Sequence, residues 1–279
     1  MLASMPRVLR YSGVLAGLIA VALQSSSFVL LGIAPSVPLL VLAFCGVAGL
    51  YQVDRLGLFA PEDQINQPER MAWAQRHRRV LKGSAGVLLI VAFAMVPLLQ
   101  ASTVAVGLLL GIAGLAYVLP TLWGTRLKGL GSLKPAIVAG VWTLGVVLLP
   151  ALEANLPLDE AVAALGGYRL ALLWAAALLA DYPDREGDWQ AGLITPAVRW
   201  SRGTLWLAGC VPLALAGGLA AGLAVGSGDG LLALDSLGYL LLLYWLVQTR
   251  PDRPAFATRL DVFLLWPALT ALAGLTGWL

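Results

Sequence analysis

Long runs of apolar residues without charge follow one another along most of this chain. The first run covers residues 11–53, and Pro35 and Pro38 near its middle divide it into two segments. A second run, residues 83–125, is divided by the polar stretch 100–103. Because about 20 apolar residues cross the hydrocarbon core of a bilayer as a helix, these two runs predict four transmembrane helices.

Five further apolar runs continue the pattern. They cover residues 135–152, about 161–180, 203–228, 231–248 and 262–279. Gly166, Gly167 and Arg169 interrupt the sixth run of the chain, and Asp235 lies near the start of the eighth. The pattern predicts an all-α integral membrane protein, a single polytopic domain over residues 1–279, with about nine transmembrane helices.

Composition excludes a water-soluble protein. Apolar residues make up 59% of the chain, charged residues make up 12%, and the mean hydropathy is +0.85. An ordinary soluble domain has roughly 25% charged residues. The apolar runs are therefore expected to lie in lipid, which is the first predicted partner of the chain.

The cationic residues predict an orientation in the membrane. Every Lys and Arg except Arg169 falls in the N-terminal segment or in a loop after an even-numbered helix. Short cytoplasmic loops collect Lys and Arg. The N-terminus and two long loops, about residues 54–79 and 181–202, are therefore expected to be cytoplasmic. This asymmetry explains the net charge of +3 without nucleic acid as a partner.

Acidic residues concentrate in the same two loops. Eight of the fifteen lie there: Asp54, Glu62, Asp63, Glu69, Asp181, Asp184, Glu186 and Asp188. Asp181, Asp184 and Asp188 have the spacing i, i+3 and i+7, which aligns side chains on one helix face, and Pro183 is expected to interrupt the helix there. Clustered carboxylates repel one another unless a cation joins them, and Mg²⁺ typically shares carboxylate oxygens with substrate phosphates. A solvated acidic loop is the competing interpretation.

Polar and basic residues follow in the predicted cytoplasmic segments. Asn66 and Arg70 accompany the first acidic group, whereas Tyr117, Arg126 and Lys128 belong to the segment after the fourth helix. Acids and bases together at a membrane surface suit an anionic substrate that is bound with a metal ion. A diphosphate on a lipid tail has this chemistry.

Two segments resemble motifs of the UbiA superfamily of intramembrane prenyltransferases. Residues 181–188, Asp-Tyr-Pro-Asp-Arg-Glu-Gly-Asp, with Gly192 and residues 195–196 after them, resemble its second aspartate motif. Residues 63–70, Asp-Gln-Ile-Asn-Gln-Pro-Glu-Arg, resemble the end of its first motif, and residues 117–128 resemble its basic loop. The resemblance covers roughly residues 10–279. It implies nine helices around a central cavity, with the N-terminus inside.

The first motif departs from the family pattern. Leu50 and Tyr51 stand where family members usually carry Asn-Asp, and position 58 is Leu instead of Asp. The next carboxylates follow Pro61 after what resembles a five-residue insertion. Because a helix does not continue through Pro61, Asp54 and Asp63 can share a metal ion only if this segment folds back.

The resemblance implies a magnesium-dependent transfer of an isoprenoid group from a prenyl diphosphate to a lipophilic acceptor. It assigns Asp181, Asp184 and Asp188 to one Mg²⁺, and Asp54 with Asp63 to a second. The residues expected to contact substrate are Asn66, Arg70, Tyr117, Arg126 and Lys128. Trp142 and Trp174 are further aromatic candidates for contact with a carbocation.

Other functions stay open at this point. The same ionisation followed by internal cyclisation would make a terpene cyclase. The altered first motif favours a non-catalytic relative that binds lipid or pigment, or that serves as a subunit of a membrane complex. A transporter is disfavoured because the charged groups gather at one face of the membrane.

Overall fold

A computed structural model of the chain describes residues 6–56, 61–119, 127–249 and 256–277. These residues form helices and connecting turns, with no strand among them. In chain order the α-helices are α1 (Arg7–Tyr11), α2 (Val14–Leu30), α3 (Val37–Arg55), α4 (Pro61–Asn66), α5 (Pro68–Arg76), α6 (Arg78–Met95), α7 (Ala101–Val118), α8 (Lys134–Thr143), α9 (Leu149–Glu153), α10 (Glu160–Ala180), α11 (Arg185–Gln190), α12 (Pro196–Arg199), α13 (Arg202–Ser227), α14 (Gly230–Gln248), α15 (Phe256–Phe263) and α16 (Pro267–Thr276).

Most of these helices lie in membrane-crossing segments, either alone or as consecutive pieces of one segment. Eight segments are long and apolar enough to span a bilayer: Val37–Arg55, Arg78–Leu98, Ala101–Val118, Gly131–Glu153, Glu160–Ala180, Arg202–Ser227, Gly230–Gln248 and Phe256–Thr276. Helix α2 is equally apolar and has 17 residues, the lower end of the roughly 17–25 residues that suffice for a span. With α2 included, the described residues contain nine such segments, which confirms the predicted all-α membrane fold.

Polar side chains at the ends of the apolar runs define where several spans begin. The Ser36 hydroxyl accepts a hydrogen bond from the backbone N–H of Leu39 at the start of α3. Asp159 and Asp229 do the same at the starts of α10 and α14. Such side chains satisfy backbone N–H groups that have no partner within the helix. The polar residues between the apolar runs therefore set these helix boundaries.

Two predicted boundaries were wrong. Helix α6 begins at Arg78, five residues before the predicted start at 83, and the ninth span begins at Phe256 instead of 262. Charged side chains were taken to end the helices, but long Lys and Arg side chains can extend from a helix to the membrane surface. One consequence concerns Asp261, which lies within the ninth span and not in a loop.

Helix α10, the sixth span, lies at the centre of the bundle. Its buried face includes Leu172, Leu178 and Leu179, with at most 2% of each residue exposed. These residues belong to one buried apolar cluster that also includes side chains of α2, α8, α13, α14 and α15. The C-terminus of α10 is therefore surrounded by other helices, and the acidic segment that follows it starts from a fixed position.

A fully buried ion pair crosses the centre of this bundle. The Arg169 guanidinium of α10 donates to both carboxylate oxygens of Asp235 in α14, at 2.7 and 3.1 Å. It also donates to the Ser26 hydroxyl of α2 at 2.6 Å. Arg169 and Asp235 are exposed by 0% and 1%. Arg169 is the cation that lies outside the predicted cytoplasmic segments, and its pairing with Asp235 explains why it can lie within a span. Together with Ser26 the pair joins three spans.

Candidate active site

A cavity of about 350 Å³ lies at the end of the bundle where the two acidic segments meet. The predicted site residues that line it are Asp54, Asp63, Asn66, Arg70, Tyr117, Lys128, Asp181, Asp184 and Asp188. Apolar side chains of neighbouring helices, including Ile19, Val141 and Leu173, complete the lining. The central cavity expected from the sequence is present, and it combines a charged end with an apolar interior.

Hydrogen bonds tie the two motif segments together. The Asn66 side chain donates to Asp188 Oδ1 at 3.1 Å and accepts from the backbone N–H of Gly187 at 3.0 Å. Next to it, the Gln67 amide donates to Asp184 Oδ1 at 3.0 Å. The last residue of α4 therefore lies directly against α11, as expected for segments that build one site.

The backbone explains how the second motif reaches the cavity. Helix α10 ends at Ala180, residues 181–184 form a turn that contains Pro183, and α11 resumes at Arg185. Asp181 and Asp188 are 8% and 2% exposed. The prediction that this stripe of carboxylates begins in a turn and continues on a short helix is confirmed.

Lys134, at the start of α8, bridges the second motif. Its ammonium group lies 2.6 Å from Asp181 Oδ1 and 4.0 Å from Asp188 Oδ2. Because like charges this close would repel one another, the lysine stabilises the paired carboxylates. Lys134 was not among the predicted site residues, although its position shortly after Lys128 was a signal that could have identified it.

The second motif retains open oxygen atoms that suit a hard cation. Asp181 Oδ2 and Asp188 Oδ2 are buried and accept no hydrogen bond. Such atoms are costly unless a ligand satisfies them, and Mg²⁺ is commonly bound through one or two carboxylates and substrate phosphates. These two aspartates therefore fit a magnesium ion that is completed by a phosphorylated substrate. In the described part of the chain, no three acidic, His or Cys side chains form a metal site by themselves.

The first motif has a different arrangement. Asp63 Oδ2 lies 2.8 Å from Arg70, and Asp63 Oδ1 lies 3.5 Å from the Lys128 ammonium group. Asp54 faces its neighbour Arg55 at 3.7 Å. Both carboxylates line the cavity, but cationic side chains already occupy the positions around Asp63. The assignment of Asp54 and Asp63 to a second Mg²⁺ stays a prediction that this geometry does not favour.

Burial and nearby charges shift the pKa of Asp63, in the first motif, in opposite directions. Burial by itself would raise the pKa of Asp63, but the cationic groups of Arg70 and Lys128 outweigh it and hold the pKa below its usual value. Asp63 is therefore ionised throughout the physiological range. Its carboxylate positions the side chains of Arg70 and Lys128 at the edge of the cavity.

In the second motif, the pKa values of Asp184 and Asp188 are raised. Burial raises the pKa of Asp188 to about 6; Lys134 opposes this rise, and Asp181 adds to it. Burial also raises the pKa of Asp184, although the hydrogen bond from Gln67 partly offsets the effect. These carboxylates gain from an added cation more than Asp63 does, because a cation would offset the cost of burying their charge.

Other predicted residues have mixed outcomes. Tyr117 and Trp142 line the cavity, whereas Trp174 donates its indole N–H to the carbonyl of Ala208 and is not among the cavity-lining residues. Arg126 lies outside the described residues. Gln67 and Asp261 line the cavity but were not predicted, because an amide carries no charge signal and Asp261 was assigned to a loop.

No protein-family model matches this sequence. No curated protein matches it either.

A solved structure does match the fold. It is a digeranylgeranylglyceryl phosphate synthase, a UbiA-superfamily prenyltransferase, to which this chain is 15% identical with a TM-score of 0.56. The match covers 97% of this chain and 96% of the other. The arrangement of the helices therefore matches that of a membrane prenyltransferase over nearly the full length of both chains. The chain has the fold of the UbiA superfamily of intramembrane prenyltransferases.

Proposed function

We propose that this protein transfers an isoprenoid group from a prenyl diphosphate to a lipophilic acceptor, in a magnesium-dependent reaction. The observation that carries the proposal is the meeting of two acidic segments, joined by Asn66, at a cavity that has a charged end and an apolar interior. A prenyl diphosphate has the same division into an anionic head and an apolar tail. The likeness to a solved prenyltransferase supports the proposal at the level of the fold.

The diphosphate belongs at the charged end of the cavity. Lys128, Lys134 and Arg70 line that end, and each faces a carboxylate that fixes its position. Departure of pyrophosphate is the difficult part of prenyl transfer because negative charge accumulates on the leaving oxygen. Cationic groups already oriented toward that charge lower the barrier. Asn66, Tyr117 and Arg126 are further proposed contacts of the substrate.

Asp181 and Asp188 would hold the magnesium ion, each through its open oxygen, with Asp184 beside them. A bound Mg²⁺ neutralises phosphate charge and so makes pyrophosphate a better leaving group. Lys134 keeps the two carboxylates together before substrate arrives. Asp54 and Asp63 belong to the same proposal as candidate ligands of a second ion.

The apolar part of the cavity accommodates the tail and protects the reactive carbon. Ile19, Val141 and Leu173 exclude water around an isoprenoid chain. The rings of Tyr117 and Trp142 line the same space, and aromatic faces attract a cation. These residues would stabilise the allylic carbocation until an acceptor captures it.

Purified protein in detergent provides the test. Geranyl, farnesyl and geranylgeranyl diphosphate are each incubated with 4-hydroxybenzoate or geranylgeranylglyceryl phosphate, and pyrophosphate and prenylated products are measured. We expect Mg²⁺-dependent pyrophosphate release together with a prenylated acceptor, and loss of both in EDTA. Release without any acceptor, with a cyclic hydrocarbon product, would indicate a terpene cyclase. Magnesium-dependent donor binding without release would identify a non-catalytic relative.

A matched pair of variants tests the site assignment. D188N removes a proposed metal ligand, and we expect turnover to fall by at least about 100-fold because charge stabilisation at such a site contributes on that scale. E186Q neutralises an exposed acid two residues earlier whose side chain accepts a hydrogen bond from Gln190 and does not line the cavity, so its turnover should match the wild type. Equal turnover of D188N and wild type would contradict the assignment.

A further inference from the structure

Helix α15 presents one face to the cavity. Ala257, Leu260 and Asp261 of this helix line the cavity, as does Leu264 directly after its end, and their spacing places them on one side of a helix. Asp261 is the only charged residue of these four. A carboxylate inside a membrane span costs free energy and usually has a functional role, so its position requires an explanation.

A structural ion pair does not provide that explanation. In the described part of the chain, the Asp261 carboxylate has no cationic partner within 4 Å and no hydrogen bond. Asp235, the other acid within a late span, differs because Arg169 binds both its oxygens. Asp261 is therefore a carboxylate that can still accept a hydrogen bond within the cavity.

The other cavity-lining acids in the described residues are engaged. Asp63 faces Arg70 and Lys128, and Asp181 and Asp188 share Lys134. Asp184 accepts from Gln67, and Asp54 faces Arg55 at 3.7 Å. Their positions suit the diphosphate and its metal ion. Asp261 instead lines the cavity from the ninth span, outside both acidic motif segments.

The charged groups around Asp261 offset part of its cost. Its charge interacts with the guanidinium groups of Arg55 in α3 and Arg70 in α5. Arg70 is also the residue that pairs with Asp63, so Asp261 lies near the diphosphate end of the cavity. The phenol of Tyr51, where the family motif usually carries a carboxylate, is close enough to Asp261 to interact with it electrostatically.

We propose that Asp261 forms the acceptor site: its carboxylate accepts a hydrogen bond from the nucleophilic hydroxyl group of the acceptor and takes the proton during transfer. This inference rests on the proposed function. The C1–O bond of the prenyl diphosphate breaks and its electron pair leaves with pyrophosphate. A lone pair of the acceptor oxygen forms the new C–O bond at C1, and the hydroxyl proton passes to Asp261 and then to water.

The experiment compares wild type, D261N and D261E with geranylgeranyl diphosphate as the donor and geranylgeranylglyceryl phosphate as the hydroxyl acceptor. Three quantities are measured: Mg²⁺-dependent donor binding, pyrophosphate release in the presence of acceptor, and ether product. We expect D261N to lose at least about 100-fold in ether formation, as for removal of a general base. Donor binding should stay within about twofold of wild type. D261E should recover part of the lost transfer.

The control is D229N, which makes the same chemical change at the residue that caps the start of α14. Asp229 is not among the cavity-lining residues. Asn caps a helix about as well as Asp, so D229N should transfer at the wild-type rate. Unchanged ether formation in D261N would overturn the inference alone, as would an equal loss of donor binding. Transfer by wild type only to a ring carbon of 4-hydroxybenzoate would overturn the hydroxyl class of the acceptor. A wild type that releases no pyrophosphate would overturn the proposed function itself.

Discussion

The side-chain amide of Asn66 donates a hydrogen bond to the carboxylate of Asp188 across 122 residues of sequence. The same side chain accepts from the backbone of the residue before that aspartate. Both polar groups of this side chain, the NH₂ and the carbonyl oxygen, thus bind a single turn of α11. Asn66 fixes the distance between the motif segments, in addition to any contact it makes with substrate.

Substitution of Gly187 should separate these segments. A methyl group at this position would collide with the Asn66 side chain, so in G187A either that side chain rotates away and loses its hydrogen bonds to α11, or α4 and α11 move apart. We expect turnover to fall by at least about tenfold, since displacements of about 1 Å can cost more than that, while the helical circular dichroism stays unchanged. Helix α6 offers the control: G83A adds the same methyl group where nothing lies within 4 Å. Full activity of G187A would show that the contact is dispensable.

Removal of the Lys134 ammonium group should make the protein depend on added cations. In K134M, Asp181 and Asp188 remain buried without their shared partner. Loss of one member of a buried pair destabilises a protein by about 3–5 kcal/mol, so the melting temperature should drop in EDTA and recover more with Mg²⁺ than that of wild type. K82M neutralises an exposed lysine and should melt like the parent. Equal Mg²⁺ responses in both variants would argue against a metal ion beside Lys134.

The raised pKa of Asp188 predicts an unusual pH dependence of stability. Its folded-state pKa is about 6, whereas an unfolded chain has an aspartate pKa of about 3.9. The folded protein therefore binds the extra proton between these values, and this stabilisation is lost as the pH rises through about 6. In EDTA, the melting temperature of wild type relative to D188N should fall between pH 5 and pH 7.

Comparison with D188N isolates this group. Asp184 and Asp63 also titrate abnormally, but both proteins contain them, so their contributions largely cancel in the difference. Parallel melting curves for the two proteins across this range would contradict the raised pKa.

The buried Arg169–Asp235 pair predicts a pattern of non-additive substitutions. R169M leaves a buried carboxylate unpaired and should destabilise the protein by about 3–5 kcal/mol. The double variant R169M/D235L removes both charges and should recover most of that loss, as measured by thermal denaturation in detergent. A double variant as unstable as the single one would mean that the network, including Ser26, contributes more than charge compensation.

The fold was predictable because the membrane simplifies the relation between sequence and structure. Nine apolar runs separated by polar residues leave few alternatives, since each backbone in lipid must satisfy its own hydrogen bonds. Boundaries were less predictable where charges lie inside helices. Arg78 and Asp261 were both assigned to loops because the pattern does not distinguish a charge in the first turns of a helix from one in a loop.

The site was predictable where the motif is local. The spacing of Asp181, Asp184 and Asp188 correctly indicated one carboxylate group at the cavity. Partners from distant segments were not predictable: Lys134 resembles a loop cation in the sequence, and only the packing of α8 against α10 brings it to Asp181. The position of Asp63 in the sequence likewise could not reveal that Arg70 and Lys128 surround its carboxylate.

The Arg169–Asp235 pair also has a consequence for biogenesis. A translating ribosome delivers the sixth span to the membrane 66 residues before the carboxylate that neutralises its arginine. An uncompensated arginine at the centre of an inserting helix costs about 2.5–3.5 kcal/mol, so the sixth span should partition poorly into lipid by itself. Stable insertion then awaits the eighth span, and a nascent chain truncated between them should remain at the translocon.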